Sequence, residues 1–207
     1  MKIKDNLNIS GDLLMKSGSP DYRLEAEILL RHVLKIDRAT MFSNLENILD
    51  SKQENDIAEL VQRRLANEPL SYITGTREFY SLDFQITSDV LIPRQETETL
   101  VDEVIKIAKE NPLKIVDVGT GSGAIAIALA VNLPLAKIIA TDISVDALHV
   151  AESNTKMNDV FSRINMKQGN LLDVLDEKVD VIVSNPPYIP SDQIEHLQPE
   201  VKKEPHI

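Results

Sequence analysis

Residues 113–130 have the sequence LKIVDVGTGSGAIAIALA, which joins a short β-branched run to a glycine-rich turn and an apolar helix. A short apolar run of this kind is typical of a strand buried in a parallel sheet. Glycines let the backbone adopt positive φ and approach a ligand closely, and we expect the free N–H groups at the helix start to face that ligand. The stretch therefore predicts a strand–turn–helix unit that binds a nucleotide.

Strands and helices alternate after this unit. The sequence predicts strands at 114–118, 137–142, 164–168 and 179–184, and helices at 123–131 and 145–156. This alternation indicates an α/β fold with a parallel, doubly wound sheet. The run 179–183 is apolar enough for an interior strand, and an unpaired apolar edge is an aggregation hazard. We therefore expect the sheet to be truncated at the C-terminus of this chain.

The N-terminal part, residues 1–71, has helical periodicity instead. Two sets of apolar residues recur at helical spacing: Leu24, Ile28, Leu29 and Val33, and Ile57, Leu60, Val61 and Leu65. Ser19 followed by Pro20 indicates an N-cap and a first helical position. Between Tyr72 and Thr87 apolar residues alternate with polar ones, which predicts a short hairpin. The chain is thus expected to begin with a small helical bundle.

A carboxylate ends the second predicted strand of the sheet. Asp142 lies roughly 20 residues after the glycine turn, where nucleotide-binding α/β folds keep an acid that accepts both ribose hydroxyls. Gly119, Gly121 and Ala124 also fit the G-x-G-x-x-G/A pattern of dinucleotide-binding proteins. The turn and the acid together predict a nucleotide site but do not decide which kind of nucleotide binds there.

The strand 179–184 ends in Asn185-Pro186-Pro187-Tyr188, a rigid turn with two hydrogen-bond acceptors and an aromatic face. The side-chain oxygen of Asn185 and the carbonyl of Pro186 can accept both N–H bonds of a planar amino group, which leaves its lone pair facing outward. Tyr188 can lie against the group and favour positive charge on the nitrogen. Asn-Pro-Pro alone could be only a strand-terminating turn. With the glycine turn, it favours an enzyme that methylates nitrogen over a nicotinamide enzyme.

These motifs resemble those of the S-adenosylmethionine-dependent methyltransferases. The preceding segment is similar to the PrmC/HemK group, the protein-(glutamine-N5) methyltransferases of peptide chain release factors. The residues that carry this second likeness are Tyr72-Ile73-Thr74-Gly75, Glu78-Phe79-Tyr80, Phe84 and Leu91-Ile92-Pro93-Arg94-Gln95-Glu96-Thr97-Glu98. Gln95 stands where the family usually has proline, and Asn170 where it usually has aspartate. The resemblance extends from about Pro20 to the last residue.

The resemblance implies a Rossmann-like methyltransferase sheet in residues 91–207, incomplete at its end, after a β-hairpin linker at 72–90 and a helical substrate-recognition domain at 1–71. It implies S-adenosyl-L-methionine as cofactor, release factors as protein substrates and glutamine N5 as methyl acceptor. The expected cofactor-binding residues are Gly119, Thr120, Gly121, Ser122, Gly123, Asp142, Asn170 and Asn185. The expected catalytic residues are Asn185, Pro186 and Tyr188, and Pro187 joins them in binding the substrate.

Several alternatives stay open. The same Asn-Pro-Pro-Tyr turn suits the exocyclic amine of adenine in DNA, and a paralogue could act on a ribosomal-protein glutamine. A truncated fragment could bind without turnover. The residue that contacts adenine is either Asn170 or Leu171. The segment Arg94–Glu98 either borders the active site, as the resemblance suggests, or its acids complement a helix dipole.

Composition limits the remaining possibilities. The chain has 207 residues and a formal net charge of −11, which disfavours nucleic acid as the main partner. It has no cysteine, and its four histidines are too scattered for a metal site. Its longest apolar stretch, Ala124–Val131, is far shorter than a membrane span, and the N-terminus has no signal-peptide core. We therefore expect a monomeric cytoplasmic enzyme without a bound metal.

Overall fold

The computed structural model describes residues 1–108, 111–186 and 198–205. The chain divides into two compact units, Met1–Thr74 and Gly75–Ile207. The first unit contains α1 (Ile3–Lys16), α2 (Tyr22–Leu34), α3 (Arg38–Ser43), α4 (Ser51–Leu65) and α5 (Leu70–Thr74). It is the small helical bundle that the apolar periodicity predicts.

Local side chains set the ends of these helices. Asp50 caps α4, where its carboxylate accepts from the backbone N–H of Gln53 at 2.8 Å and the Gln53 side chain accepts from the Asp50 N–H at 3.0 Å. This reciprocal pair is a capping box. The cap predicted at Ser19 is wrong, because α2 begins at Tyr22 and Asp21 occupies its N-cap position.

The bundle encloses one apolar core. Helix α2 buries Ala26, Leu29 and Leu30, whereas Leu24, which shares the helical spacing of Leu29, is exposed. Glu25 is also buried, and its carboxylate pairs with Arg64 of α4 at 2.8 Å. A buried carboxylate needs such a partner, since an unpaired one would lose hydration without compensation.

The second unit begins with an antiparallel hairpin of β1 (Thr76–Phe79) and β2 (Leu82–Gln85). Tyr80 and Ser81 join the strands with φ of 54° and 58°, which is the backbone twist of a two-residue hairpin turn. Asn154 then ties the hairpin to the rest of the unit. Its side chain accepts from the Gln85 N–H at 2.7 Å and donates to the Gln85 carbonyl at 3.0 Å.

A parallel sheet forms the centre of the second unit. Its strands are β3 (Lys114–Val118), β4 (Lys137–Asp142), β5 (Ile164–Gln168) and β6 (Val181–Ser184), in the order β5-β4-β3-β6. Within the described residues, three α-helices accompany them: α6 (Glu98–Ala108), α7 (Ala124–Asn132) and α8 (Val145–Met157). When the strands are numbered within the sheet alone, this order is 3-2-1-4, which matches the first part of the doubly wound order 3-2-1-4-5-6. The predicted Rossmann-like α/β class is therefore confirmed.

The register brings the ends of four strands to one edge. Val118 pairs with Thr141 on one side and with Ser184 on the other. The residues that follow, Gly119 and Asn185, are therefore neighbours. Asp142, which follows Thr141, lies at the same edge. Ligands in open α/β sheets bind outside this carboxyl edge.

The last strand differs from the sequence prediction. It begins at Val181 rather than at 179, and within the described residues it pairs with β3 alone. Ile182 is accordingly 56% exposed, so this strand lies at the edge of the described sheet instead of its interior. Val179 packs against the apolar cluster around Val116, just before the strand begins.

Helix α7 explains why the sequence after the glycine turn is apolar on every side. Its residues from Ala124 to Ala130 are all buried. A helix that is apolar all round is expected only where it is enclosed by protein or by lipid. No helix in the part of the chain that the structure describes is long and apolar enough to cross a membrane.

Candidate active site

The carboxylate of Asp117 is completely buried below the glycine turn, with 0% of the residue exposed. Its Oδ2 accepts the Thr120 hydroxyl at 2.7 Å and the Ala126 backbone N–H at 3.2 Å. Its Oδ1 has no partner among the described residues. The pKa of Asp117 is raised to about 6, mainly by burial; the two hydrogen bonds oppose this rise, and the nearby Asp142 adds to it. The glycine motif includes this residue, but sequence reasoning gave it no role.

Two glycines of the turn face open space. Gly119 and Gly121 have φ of 70° and 53°, and a Cβ at either would meet no atom of the described chain within 4 Å. Gly123 differs, because a Cβ there would lie 3.0 Å from Ile127 and 3.2 Å from Ala151. The first two glycines leave room for a ligand, whereas the third allows α7 and α8 to approach closely.

The backbone N–H groups of the turn itself, which precedes the helix start, are mostly occupied within the protein. Gly119 and Thr120 both donate to the carbonyl of Thr141, at 2.8 and 2.9 Å. Gly121 donates to Asp142 Oδ2 at 2.9 Å. The donors of the turn are satisfied within the protein even though Gly119 is exposed and Gly121 is only half-buried. The adjacent strand supplies the acceptors here.

Asp142 holds this turn and the start of α8 together. Its Oδ1 accepts the backbone N–H of Ser144 at 3.0 Å, while Oδ2 accepts that of Gly121. The side chain of Asp142 is therefore fixed before any ligand binds. Each carboxylate oxygen has further acceptor capacity, so a pair of hydroxyls can still be bound.

The loop after β5 closes the other side of the edge. The Gly169 N–H donates to the carbonyl of Asp142 at 2.9 Å. Asn170 is exposed, and Leu171 is 63% exposed with φ of 49°. The Thr141 hydroxyl donates to the Leu171 carbonyl at 3.2 Å. Both side chains named as candidate adenine contacts thus lie at this edge, and the geometry favours neither.

Asn185 lies at the end of β6, and its amide already has one partner. Its Nδ2 donates to the hydroxyl of Thr97 at 3.2 Å, whereas none of the described residues donates to its Oδ1. Ser184 anchors the preceding position, since its hydroxyl donates to the Val118 carbonyl at 2.8 Å. Pro186 follows and is exposed. Pro187 and Tyr188 lie outside the described residues.

Thr97 is a site residue that sequence reasoning did not single out. It ends the short 3-10 helix Gln95–Thr97, and its N–H donates to the Arg94 carbonyl at 3.0 Å. Through Thr97, the segment Arg94–Glu98 contacts Asn185. Glu98 has another role, because its Oε1 accepts the backbone N–H of Tyr80 at 2.8 Å and so holds the hairpin turn.

A buried acid from the C-terminal part of the unit holds this segment. The side chain of Glu204 is 3% exposed and pairs with the Arg94 guanidinium. Its Oε2 also accepts the Ile92 N–H at 3.3 Å. The segment that carries Thr97 is therefore fixed by contacts more than a hundred residues away in sequence.

The chemistry of this edge fits a nucleoside cofactor. Gly119 and Gly121 leave space next to the sheet, and Asp142 presents acceptors for hydroxyl groups. The unpartnered Oδ1 of Asp117 is a buried acceptor beneath the same turn. Among residues 1–108, 111–186 and 198–205, no cluster of histidine and acidic side chains could hold a metal ion.

Comparisons with known proteins cover both units. The family models that match are the PrmC N-terminal domain over residues 7–75 and the methyltransferase small domain over residues 95–198. The chain is 46% identical over 200 residues to the release factor glutamine methyltransferase of Coxiella burnetii (strain RSA 493 / Nine Mile phase I). The aligned residues cover 96% of this chain and 70% of that protein. It is 40% identical over 202 residues to the release factor glutamine methyltransferase of Geobacter sulfurreducens (strain ATCC 51573 / DSM 12127 / PCA), 97% of this chain and 70% of that one. The solved structure of ribosomal protein L11 methylase from Lactobacillus delbrueckii subsp. bulgaricus aligns with a TM-score of 0.43 and 34% identity, over 50% of this chain and 52% of that chain.

Proposed function

This chain belongs to the family of release factor glutamine methyltransferases, and on that premise we propose that it methylates the side-chain amide nitrogen (N5) of a glutamine in class 1 peptide chain release factors. The proposed cofactor is S-adenosyl-L-methionine. The observation that carries the proposal is the Asn185 amide, which keeps its Oδ1 available beside the glycine turn. An acceptor at that place can aim an N–H group.

The cofactor-binding role is proposed for the carboxyl edge of the sheet. Gly119 and Gly121 provide close access to the backbone, and Asp142 accepts the two ribose hydroxyls. Asn170 is proposed to contact the adenine, with Leu171 as the alternative. The other residues proposed to hold the cofactor are Thr120, Ser122, Gly123 and Asn185. Of these, Thr120 acts through Asp117, and Gly123 acts through the packing of α7 on α8.

The substrate-binding role is proposed for Asn185 and the residues after it. An amide nitrogen shares its lone pair with the carbonyl group and is a poor nucleophile, so it must be aimed. Asn185 Oδ1 and the Pro186 carbonyl accept its two N–H bonds, and the lone pair then points out of the amide plane. Pro187 and Tyr188 complete the site, with the tyrosine ring against the flat amide.

Positioning is proposed to supply most of the rate. Bound S-adenosylmethionine supplies a methyl group on a positively charged sulfur. The new N–C bond forms as the S–C bond breaks, and the proton released from nitrogen passes to water. Holding two reactants in line gains on the order of 7–11 kcal/mol in well-oriented reactions. No nucleophilic side chain of the protein is needed.

The release factor is the proposed partner, and the helical unit Met1–Thr74 is the proposed recognition domain. Residues 1–71 carry that role, 72–90 link it and 91–207 carry the chemistry. The match of residues 7–75 to the PrmC N-terminal domain supports this division. We propose a monomer that acts in the cytoplasm, where release factors function.

The test is methyl transfer from labelled S-adenosylmethionine to three acceptors in parallel: a release factor, a ribosomal protein and DNA. We expect label on the release factor alone. A release factor with its acceptor glutamine replaced by asparagine is the matched control and should stay unlabelled. Label on DNA or on the ribosomal protein would contradict the proposed substrate. Cofactor binding with no label on any acceptor would favour a binding module.

A further inference from the structure

We propose that Thr97 is a positioning residue that fixes the side-chain amide of Asn185 with Oδ1 towards the substrate. This inference rests on the proposed function. Its basis is the hydrogen bond from Asn185 Nδ2 to Thr97 Oγ1 at 3.2 Å, which joins residues 88 apart in the chain. Neither the glycine turn nor the Asn-Pro-Pro motif includes this threonine.

An asparagine amide can be used in two orientations that exchange its oxygen and its NH2 group. Only one of them serves an N–H donor, because the other would set one donor against another. In the orientation seen here, Asn185 Nδ2 is satisfied by Thr97 and Oδ1 remains for the substrate. Both ends of the amide are then hydrogen-bonded when the substrate is present. A threonine hydroxyl also holds the plane of the amide, which a methyl group could not do.

Both partners of this bond are themselves anchored. Ser184 ties the residue before Asn185 to the Val118 carbonyl at 2.8 Å. On the other side, Glu204 binds Arg94 and the Ile92 N–H, while the Thr97 N–H closes onto the Arg94 carbonyl at 3.0 Å. Glu204 thus fixes the short helix from which the Thr97 hydroxyl reaches Asn185. Site residues held on rigid elements by such contacts are positioned more precisely than residues on free loops.

The first test compares two substitutions. Thr97→Val keeps the shape and removes the acceptor, whereas Thr97→Ser keeps the hydroxyl. We expect Thr97→Val to lower kcat about tenfold, as the loss of a neutral hydrogen bond would. The KM for the release factor and the Kd for the cofactor should change little. Thr97→Ser should restore most of the rate, and the exposed Thr99→Val should match wild type.

A double-mutant cycle separates positioning from an independent role. If Thr97 acts only through Asn185, adding Thr97→Val to Asn185→Ala should cost nothing more in single-turnover rate. A further loss in the double variant would overturn the proposal. So would a Thr97→Ser variant as slow as Thr97→Val, or a Thr97→Val variant that loses cofactor affinity or folding stability in the same proportion as rate.

The contact can also be tested without turnover, by nuclear magnetic resonance. The side-chain NH2 signals of Asn185 are identified by their absence in Asn185→Ala. We expect Thr97→Val to shift these signals and speed their exchange with water, and Thr97→Ser to leave them near the wild-type positions. Unchanged signals in Thr97→Val would overturn the proposal. If wild-type protein failed to methylate any release factor, the proposed function would fail while this measurement still decided on the contact.

Discussion

The carboxylate of Asp142 accepts the backbone N–H of Gly121 at 2.9 Å, so the acid that ends β4 fixes the glycine turn that follows β3. The same carboxylate accepts the Ser144 N–H at 3.0 Å. One side chain therefore orients the turn, the start of α8 and the proposed ribose site. Its removal should affect all three.

We expect Asp142→Ala to weaken S-adenosylmethionine binding by roughly 1.5–3 kcal/mol, the usual contribution of hydrogen bonds to a charged group. Calorimetric titration measures this directly. Asp142→Asn should lose less, because one acceptor oxygen remains. Tight binding of a nicotinamide dinucleotide, without any binding of S-adenosylmethionine, would show that the site has been assigned to the wrong cofactor.

Asp117 should make stability depend on pH. Its pKa is raised from 3.8 to about 6 by burial, so the folded protein binds this proton more tightly than the unfolded chain. The bound proton therefore contributes to the free energy of unfolding, and this contribution is fully present below pH 3.8 and is lost as the pH rises through about 6. Over that window it amounts to about 3 kcal/mol, at 1.36 kcal/mol for each pH unit.

Replacing Asp117 by asparagine should remove this dependence. The amide oxygen can still accept from Thr120 and Ala126, and no charge is buried. We expect the free energy of unfolding of Asp117→Asn to rise relative to wild type between pH 4 and 6 and to stay higher above that. Urea unfolding across this range measures the difference. A difference that does not change with pH would contradict the buried, titrating carboxylate.

The glycines of the turn should separate binding from stability. Gly123→Ala places a methyl group against Ile127 and Ala151 at φ of 81°, so we expect it to lower the unfolding free energy by about 2–4 kcal/mol. Gly119→Ala adds its methyl in open space and should cost only about 1–2 kcal/mol. It should instead reduce cofactor affinity, because that space is the proposed binding site. Thermal unfolding measures the stability of each variant, and calorimetry measures its affinity for the cofactor. If both variants lost stability and affinity to the same extent, the separate roles assigned to Gly119 and Gly123 would be contradicted.

The regular parts of the sheet could be predicted from sequence because their residues are locally consistent. β3, β4 and β5 begin and end at the predicted residues, 114–118, 137–142 and 164–168. β3 and β4 are almost wholly buried, whereas Ile164 is the one buried residue of β5. The residues gathered at the carboxyl edge follow from parallel strands in register, and Asp142 and Asn185 indeed lie there with Gly119. The last strand was predicted with the wrong start and the wrong burial, since β6 begins at Val181, pairs with β3 alone among the described residues and leaves Ile182 56% exposed.

What could not be predicted depends on contacts between distant parts of the chain. The N–H groups of the turn are occupied because the Thr141 carbonyl lies beside them, which the motif alone does not reveal. Thr97 meets Asn185 across 88 residues, and no local pattern marks that pairing. Ser19 is not the N-cap of α2, because Pro20 and Asp21 form a turn before the helix begins at Tyr22.

The measurement that tests the account most directly is the rate at which Asn185→Ala transfers a methyl group to a release-factor glutamine, with cofactor affinity measured on the same protein. The substitution removes the acceptor that aims the substrate nitrogen and leaves the glycine turn and Asp142 in place. We expect the rate to fall by about 10²–10³, as when one positioned polar group is removed from other active sites, and the cofactor Kd to change much less. A near wild-type rate would contradict the assignment of Asn185 as the residue that orients the amide.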